Sequence, residues 1–358
     1  MTNASHIAII GAGIAGLACA TTLRQAGLQV SLFEKSRGAG GRMSTRRGDG
    51  WQCDHGAQYF TARHPEFRAE VTRWEQAGVA GQWHLQLPST AADGASGSDD
   101  TPAQRFVGMP RMSSIASWLA ADLPLHTGVA ISALQREDSA WRLQAQDAQP
   151  LADRYDAVVL AVPAPQAVPL LRQVAPEQAA LAAGTTMAGC WAMMLEYAQP
   201  LALGFNAAFI NAGPLRWVAR DSAKPGRNGH ESWLLHASAE WSEAHMELDG
   251  DSIAAQLLAS FISMAGKYRN AGACTVGAMP VRRRRVTMSA CGRQRKGWGC
   301  AAIGSMAAQW RQPGLAARHW RNASSPAPLE RGARGGALCP TRAGACRRMP
   351  RMYRCQTG

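Results

Sequence analysis

The sequence predicts an α/β protein of two unequal parts, one built on a parallel sheet and the other on a smaller, sheet-rich domain. Three observations carry that prediction. Residues 6–34 run from an apolar stretch through a glycine turn and a helical stretch to a second apolar stretch. Tyr155 to Pro163 repeats the pattern of a buried strand and ends in proline. Residues 185–280 then hold four strand-like stretches and one helical one, and a chain of 358 residues has room for two domains.

The first element sets the chemistry. Ile7–Ile10 suits a buried parallel strand and is too short for a helix. Gly11, Gly13 and Gly16 follow in G-x-G-x-x-G spacing. The first allows a tight turn, the second lets backbone approach a pyrophosphate, and the third lets the next helix lie against the strand. The turn Gly11-Ala12-Gly13 then meets the phosphates at the helix N-terminus. Leu17, Ala18, Ala20 and Leu23 fall at helical spacing, and Gly27 ends the helix. Gln29–Phe33 is the second strand. Glu34 at its end, followed by Lys35, stands where an acid accepts hydrogen bonds from an adenosine ribose. This is a Rossmann-like dinucleotide domain. The continuation Arg37-Gly-Ala-Gly-Gly-Arg42 favours FAD over NAD, because a longer dinucleotide must pass close to backbone beyond the second strand. Gly40 and Gly41 permit that approach, and Arg42 offers a fixed cation.

Composition narrows the setting. No run approaches the ~20 apolar residues that span a bilayer, and residues 1–5 carry no basic leader. Nine cysteines at irregular spacings indicate free thiols and a cytoplasmic protein. No pair has the spacing of a zinc site, so no metal is expected.

After Arg42 come Met43–Arg47 and then Trp51-Gln-Cys-Asp-His-Gly-Ala-Gln-Tyr-Phe-Thr. The segment D-H-G-A-Q-Y-F-T, following E-K-S-R-G-x-G-G-R, resembles the renalase-like flavoprotein oxidases, relatives of the monoamine oxidases. The resemblance implies a Rossmann-like FAD-binding domain of the glutathione-reductase/p-hydroxybenzoate-hydroxylase type. It also implies that Gly56, Ala57, Gln58 and Tyr59 lie along the flavin and that Val129 lies against the adenine. A plain core valine is the alternative for Val129, and a capped turn the alternative for Asp54 and His55. Cys53 reads as a packed thiol.

Further along, Pro65–Gly78 reads as an amphipathic helix, and Trp83, Leu85 and Leu87 alternate like a strand. Ser89–Pro102 is a polar surface loop. Arg105–Met112 leads into a helix over Ser113–Ala121, in a segment that the resemblance places near the active site. Leu125–Gln144 gives short strands. In the second domain, Trp191–Leu195, Ala207–Ile210, Arg216–Ala219 and Ser232–Ala237 are strand-like, and Asp251–Met264 is a helix. Trp217, Arg220, Trp233 and His236 are candidates for a wall facing the flavin, Arg220 and His236 as substrate contacts. Half-buried strand positions, with a structural role for His236, are the plainer reading.

The tail differs in kind. Residues 281–358 hold 17 Arg and Lys against the single acid Glu330, and five of the nine cysteines. The rest of the chain is slightly acidic, so the net charge of +13 belongs to the tail. Read directly, it is a disordered basic extension that could neutralise nucleic-acid phosphates. Joining each codon's last base to the next codon's first two permits, from the Gly297/Trp298 junction, L-G-L-C-G-D-W-L-N-G-G. In the family a C-terminal G-D segment of this kind helps to hold the flavin. The tail is therefore read as out of frame from near Arg285, with no nucleic-acid partner.

The expected domains are FAD-binding over 1–64 and 105–170, substrate-binding over 65–104 and 171–280, and an aberrant tail over 281–358. The resemblance implies oxidation of isomeric dihydronicotinamide nucleotides, with hydride passing to flavin and molecular oxygen as reoxidant. Flavin-dependent amine oxidation is the alternative, which an aromatic pair at the flavin face would favour. An inactive or non-catalytic dinucleotide-binding protein with a basic nucleic-acid-binding tail is the alternative of another class. The sequence shows no protein nucleophile or acid/base pair, and flavin chemistry demands none.

Overall fold

The structure, a computed structural model, describes residues 5–88, 104–147, 151–227, 229–267 and 281–292. The first apolar run is β1 (His6–Ile10), buried from Ile7 onward. Helix α1 (Ile14–Gln25) returns the chain to β2 (Gln29–Glu34), which pairs parallel to β1 with Ile9 opposite Leu32. A hairpin, β3 (Thr45–Gly48) and β4 (Trp51–Asp54), precedes α2 (Pro65–Gln76). The short pair β5 (Ala80–Gln82) and β6 (Phe106–Gly108) leads to α3 (Ser114–Ala120) and β7 (Leu125–Thr127). A second hairpin, β8 (Ile131–Glu137) and β9 (Ala140–Ala145), precedes β10 (Ala157–Leu160), α4 (Ala164–Leu171) and α5 (Pro176–Ala183).

These elements form a parallel sheet in the order β10-β1-β2-β7. Leu17 and Ala20 of α1 and Ala116 of α3 cover one face, against Ile7, Ile9 and Leu32. Leu134, Leu143 and Leu170 cover the other, against Ala8, Ile10 and Phe33. A sheet buried on both faces explains why β1 and β2 read as near-continuous apolar runs. Two expectations need correction. β10 is only half-buried, because it stands at the edge of this sheet among the described strands. Trp83, Leu85 and Leu87 alternate in burial but form no strand beyond Gln82. Asn206 holds that stretch instead, accepting from Gln86 N at 2.8 Å and donating to the His84 carbonyl at 3.0 Å.

The second sheet comprises β11 (Met187–Tyr197), β12 (Ala207–Phe209), β13 (Leu215–Arg220), β14 (Glu231–Ala237) and β15 (Val281–Gly292). Its order is β12-β13-β14-β11-β15, antiparallel throughout. Two helices accompany it, α6 (Ala239–Ala244) and α7 (Gly250–Lys267). Alternation divides the sheet's side chains. Met193, Trp233 and Leu235 pack on Ile253, Leu257 and Phe261 of α7. Ala207, Trp217 and Ala219 turn the other way, toward Phe60, Phe106 and Met112. Ala192, Met194 and Leu234 share that face and meet Trp51 and Cys53 of the β3–β4 hairpin.

The expectation of an unpatterned tail from Val281 is also corrected. Its first twelve residues are β15, paired along β11 from Val281 opposite Tyr197 to Gly292 opposite Met187. Arginine-rich sequence is compatible with this because an outer strand tolerates charge, and Val286, Met288 and Ala290 alternate with polar residues. The tail beyond Gly292 and the loop over 89–102 lie outside the described residues. No helix among the described residues is long and apolar enough to cross a membrane.

Candidate cofactor and substrate site

One cavity of about 1950 Å³ runs from the glycine turn of β1–α1 to the second sheet. Its nucleotide end is set by backbone. Gly11 has φ +102°, and a Cβ there would stand 2.6 Å from the Ala161 carbonyl oxygen, so the turn admits glycine alone. Gly16 lies directly against the Gly11 carbonyl, which brings α1 onto the strand. A Cβ on Gly13 would meet no protein atom within 4 Å, and Gly13 lines the cavity. No side chain caps the N-terminus of α1, and its first turn carries no acid. Its unpaired N–H groups and positive dipole end therefore suit a pyrophosphate.

Glu34 is fixed beside that turn. One carboxylate oxygen accepts from Ala12 N at 2.9 Å and the other from Ser36 N at 2.8 Å. Glu34 lines the cavity, and each oxygen keeps acceptor capacity for a ribose hydroxyl. Lys35 sits at the rim, its Nζ 3.1 Å from Gln166 Oε1. Val129 lines the cavity and its N–H bonds the Glu34 carbonyl at 3.0 Å, so it stands next to the ribose position. The second glycine turn adjoins the first: Gly40 N donates to the Ala12 carbonyl at 2.9 Å, and Gly13 and Gly40 form a bridge. Gly41 and Arg42 follow on the cavity wall.

Gly56 packs on the Arg42 carbonyl, and Ala57 N donates to the same oxygen at 2.9 Å, so the G-A-Q-Y stretch runs along the second glycine turn. Ala57, Gln58 and Tyr59 line the cavity. Gln58 also anchors the stretch to the protein. Its side chain is committed to the protein, donating to the Asp54 and Gly56 carbonyls at 2.7 and 3.1 Å and accepting from Lys224 Nζ at 3.1 Å. These bonds shape the turn, and Oε1 keeps a second lone pair.

The second sheet supplies the opposite wall, and only half of the expected wall is there. Trp217 and His236, register partners on β13 and β14, line the cavity with Phe209. Arg220 and Trp233 do not. They are register partners of each other, three residues removed from the first pair, so pleating turns them to the α7 side. Arg220 bonds the buried carboxylate of Glu231 at 2.8 Å, and Trp233 Nε1 donates to its other oxygen at 2.8 Å. His236 Nε2 donates to the His55 carbonyl at 3.1 Å. Burial pushes the His236 ring down to about 4, so it is neutral near pH 7. His55, also at the cavity, is lowered as well, first by burial and then by Arg46. Tyr59 and Trp217 lie 5.8 Å apart at 54°, and Phe209 and Trp217 4.6 Å apart.

Sequence reasoning missed a buried charge cluster behind this wall. Lys224 Nζ lies 2.7 Å from Asp221 and 3.2 Å from Asp54, and Arg227 lies 2.5 Å from Asp54, all essentially without solvent exposure. Asp54 also accepts from Thr45 Oγ1 at 2.7 Å and Met112 N at 3.0 Å. Burial pushes its carboxyl up, but Lys224, Arg227 and these bonds outweigh burial and hold it at about 2. Asp221 is raised, chiefly by burial. Asp54 is thus more than a turn cap: it ties the cofactor-side hairpin to the second sheet. No local pattern signals contacts that span 170 residues. Cys53 is fully buried, its thiol pushed well above the usual value by burial.

A family model described as an NAD(P)-binding Rossmann-like domain matches residues 9–74. Among solved structures, the chain is similar to a protein assigned as a protoporphyrinogen oxidase from Exiguobacterium sp. 255-15. The TM-score is 0.63 at 14% identity, over 88% of this chain and 92% of that one. It is likewise similar to wild-type putrescine oxidase bound to putrescine, with TM-score 0.62 at 15% identity, over 89% and 99% of the two chains. The chain therefore shares the fold of these two oxidases. Curated relatives match over shorter stretches. L-amino acid oxidase Bs29 of Bothriechis schlegelii is 39% identical over 75 residues, 20% of this chain and 15% of its own. A tRNA 5-methylaminomethyl-2-thiouridine biosynthesis bifunctional protein of Magnetococcus marinus is 34% identical over 199 residues, 44% of this chain and 29% of its own. The chain therefore spans well under half the length of these curated relatives.

The residues at the nucleotide end fit FAD: an uncapped helix N-terminus, open space at Gly13, the fixed Glu34 and a second glycine turn alongside.

Proposed function

We propose that this chain is an FAD-dependent oxidoreductase of renalase type, acting on isomeric dihydronicotinamide nucleotides. When bound, FAD supplies hydride acceptance and reoxidation by molecular oxygen. The observation that carries the reading is the continuity of the cavity, from the glycine turn past Ala57 and Tyr59 to a wall of Trp217, Phe209 and a neutral His236. That wall suits a flat, weakly polar ring. Trp217 and Phe209 offer stacking area, and His236 Nδ1, with Nε2 committed as a donor, is a lone-pair acceptor. Glu34 and the α1 N-terminus orient the cofactor, and Gln58, held by Lys224, shapes the turn beneath its ring end.

A second reading, amine or amino-acid oxidation, draws on one specific observation: the Tyr59–Trp217 ring pair at 5.8 Å. The name of the L-amino acid oxidase relative points the same way. Anaerobic mixing separates the two. The flavin-loaded protein bleaches with an isomeric dihydronicotinamide nucleotide, stays coloured with benzylamine or an L-amino acid, and releases peroxide on aeration. Bleaching by the amine or amino acid alone would promote the second reading.

The reading of the tail beyond Arg285 as out of frame belongs to the same proposal, and sequencing the gene across codons 280–325 tests it. An intact frame there would return the basic tail to candidacy as a binding extension.

A further inference from the structure

The second sheet contains one irregularity at the cavity. On β14, Ala237 and His236 are successive, whereas their partners on β13 are Leu215 and Trp217. Arg216 is the extra residue, a β-bulge. Bulges re-aim a side chain that strict alternation would turn away. Leu215, Arg216 and Trp217 consequently all line the cavity, although alternation would allow only every second one.

Arg216 is half-buried there. Its guanidinium donates to a neutral acceptor, Asn211 Oδ1 at 2.8 Å. Among the described residues no carboxylate lies in ion-pair range of it, in contrast to Arg220 and Arg227 on neighbouring positions, which are both paired with acids. Glu240, on α6 just beyond β14, also lines the cavity. A partly desolvated guanidinium offers five donors in a planar fork, matched to the oxygens of a phosphate or carboxylate. The wall residues Trp217, Phe209 and neutral His236 carry no negative charge.

We propose that Arg216, presented by this bulge, binds an anionic oxygen group of the substrate and so sets specificity for phosphate- or carboxylate-bearing molecules over their neutral or cationic analogues. The inference rests on reading the cavity as the substrate site and stands whichever oxidation occurs there. The shared chemistry has two sources: the 5′-phosphate of a nicotinamide nucleotide or the α-carboxylate of an amino acid.

Calorimetric titration of the full chain tests this without turnover. One arm compares nicotinamide mononucleotide with nicotinamide riboside, and the other compares L-phenylalanine with phenethylamine. In at least one arm the anionic ligand binds on the order of tenfold more tightly, the weight of a charge-assisted hydrogen bond. Arg216→Gln brings the two ligands of that arm to equal affinity, and Arg216→Lys retains part of the preference. Added chloride weakens the preference in the parent protein, a measurement that needs no variant. Equal affinities within both arms in the parent would overturn the proposal, and so would an equal loss for both ligands of an arm in Arg216→Gln. The anaerobic bleaching experiment fails or succeeds independently of these affinities, so the two claims are separable.

Discussion

Replacing Lys224 with methionine is the most informative perturbation of this molecule. Methionine nearly matches the volume of the lysine stem, so the change removes a charge and leaves little void. Nζ now touches Asp221 Oδ1 at 2.7 Å, Asp54 Oδ2 at 3.2 Å and Gln58 Oε1 at 3.1 Å, with no solvent exposure. Without it, two buried carboxylates share the single cation Arg227, and Gln58 loses its donor. Breaking a buried ion pair from one side costs about 3–5 kcal/mol, because the charge left behind is uncompensated. By comparison, Arg154→Ala, which removes a largely exposed partner of Glu137 at 3.2 Å, should cost under about 1 kcal/mol. Urea denaturation at pH 7 measures both. The methionine variant should also recover on mild acidification, because Asp221 is already raised by burial and its protonation removes the surplus charge. A cost below about 1 kcal/mol for Lys224→Met, or one that does not diminish as pH falls, would refute the view that this cluster ties the β3–β4 hairpin to the second sheet.

Two further outcomes follow from the cavity walls. Gly13→Val should fold and melt like the parent, since its Cβ meets no protein atom, yet retain no flavin. Glu34→Ala should also purify colourless, and flavin absorbance equal to the parent's in either variant would remove the cofactor assignment. His236 should make stability depend on pH with a definite sign. Its folded value of about 4 lies below the ordinary 6.5, so the unfolded chain binds more protons between the two. Its contribution is fully present above about 6.5 and is lost as pH falls toward 4, to a total of about 3 kcal/mol. His236→Gln should flatten that limb of the pH–stability curve, and an unchanged slope would contradict the burial of the neutral ring.

Local patterns determined what could be read in advance. The glycine turn, Glu34 and the second glycine turn lie within one short stretch, so spacing alone brings them to the same end of the sheet, where the structure has them. Strands β11 to β14 of the second sheet were legible for the same reason, whereas β15 was not. Which of their faces meets the cofactor side was not, because alternation separates the residues of a strand into two sets without saying which set faces which layer. Trp217 and His236 belong to one set, Arg220 and Trp233 to the other, and only the packing of α7 decides between them.

The bulge at Arg216 breaks alternation altogether, and a single extra residue leaves no mark in composition or period. The Asp54–Asp221–Lys224–Arg227 cluster was hidden more deeply. Each member is an ordinary polar residue in a local window, and two of the ion pairs close across more than 160 residues. Such a cluster stabilises the fold only once the β3–β4 hairpin and the second sheet are in place, because each charge alone would be too costly to bury. The cofactor end of the site is therefore written in local sequence. Its substrate end is written in the register of β13 on β14 and in the closure of one charge cluster, both of which exist only after folding.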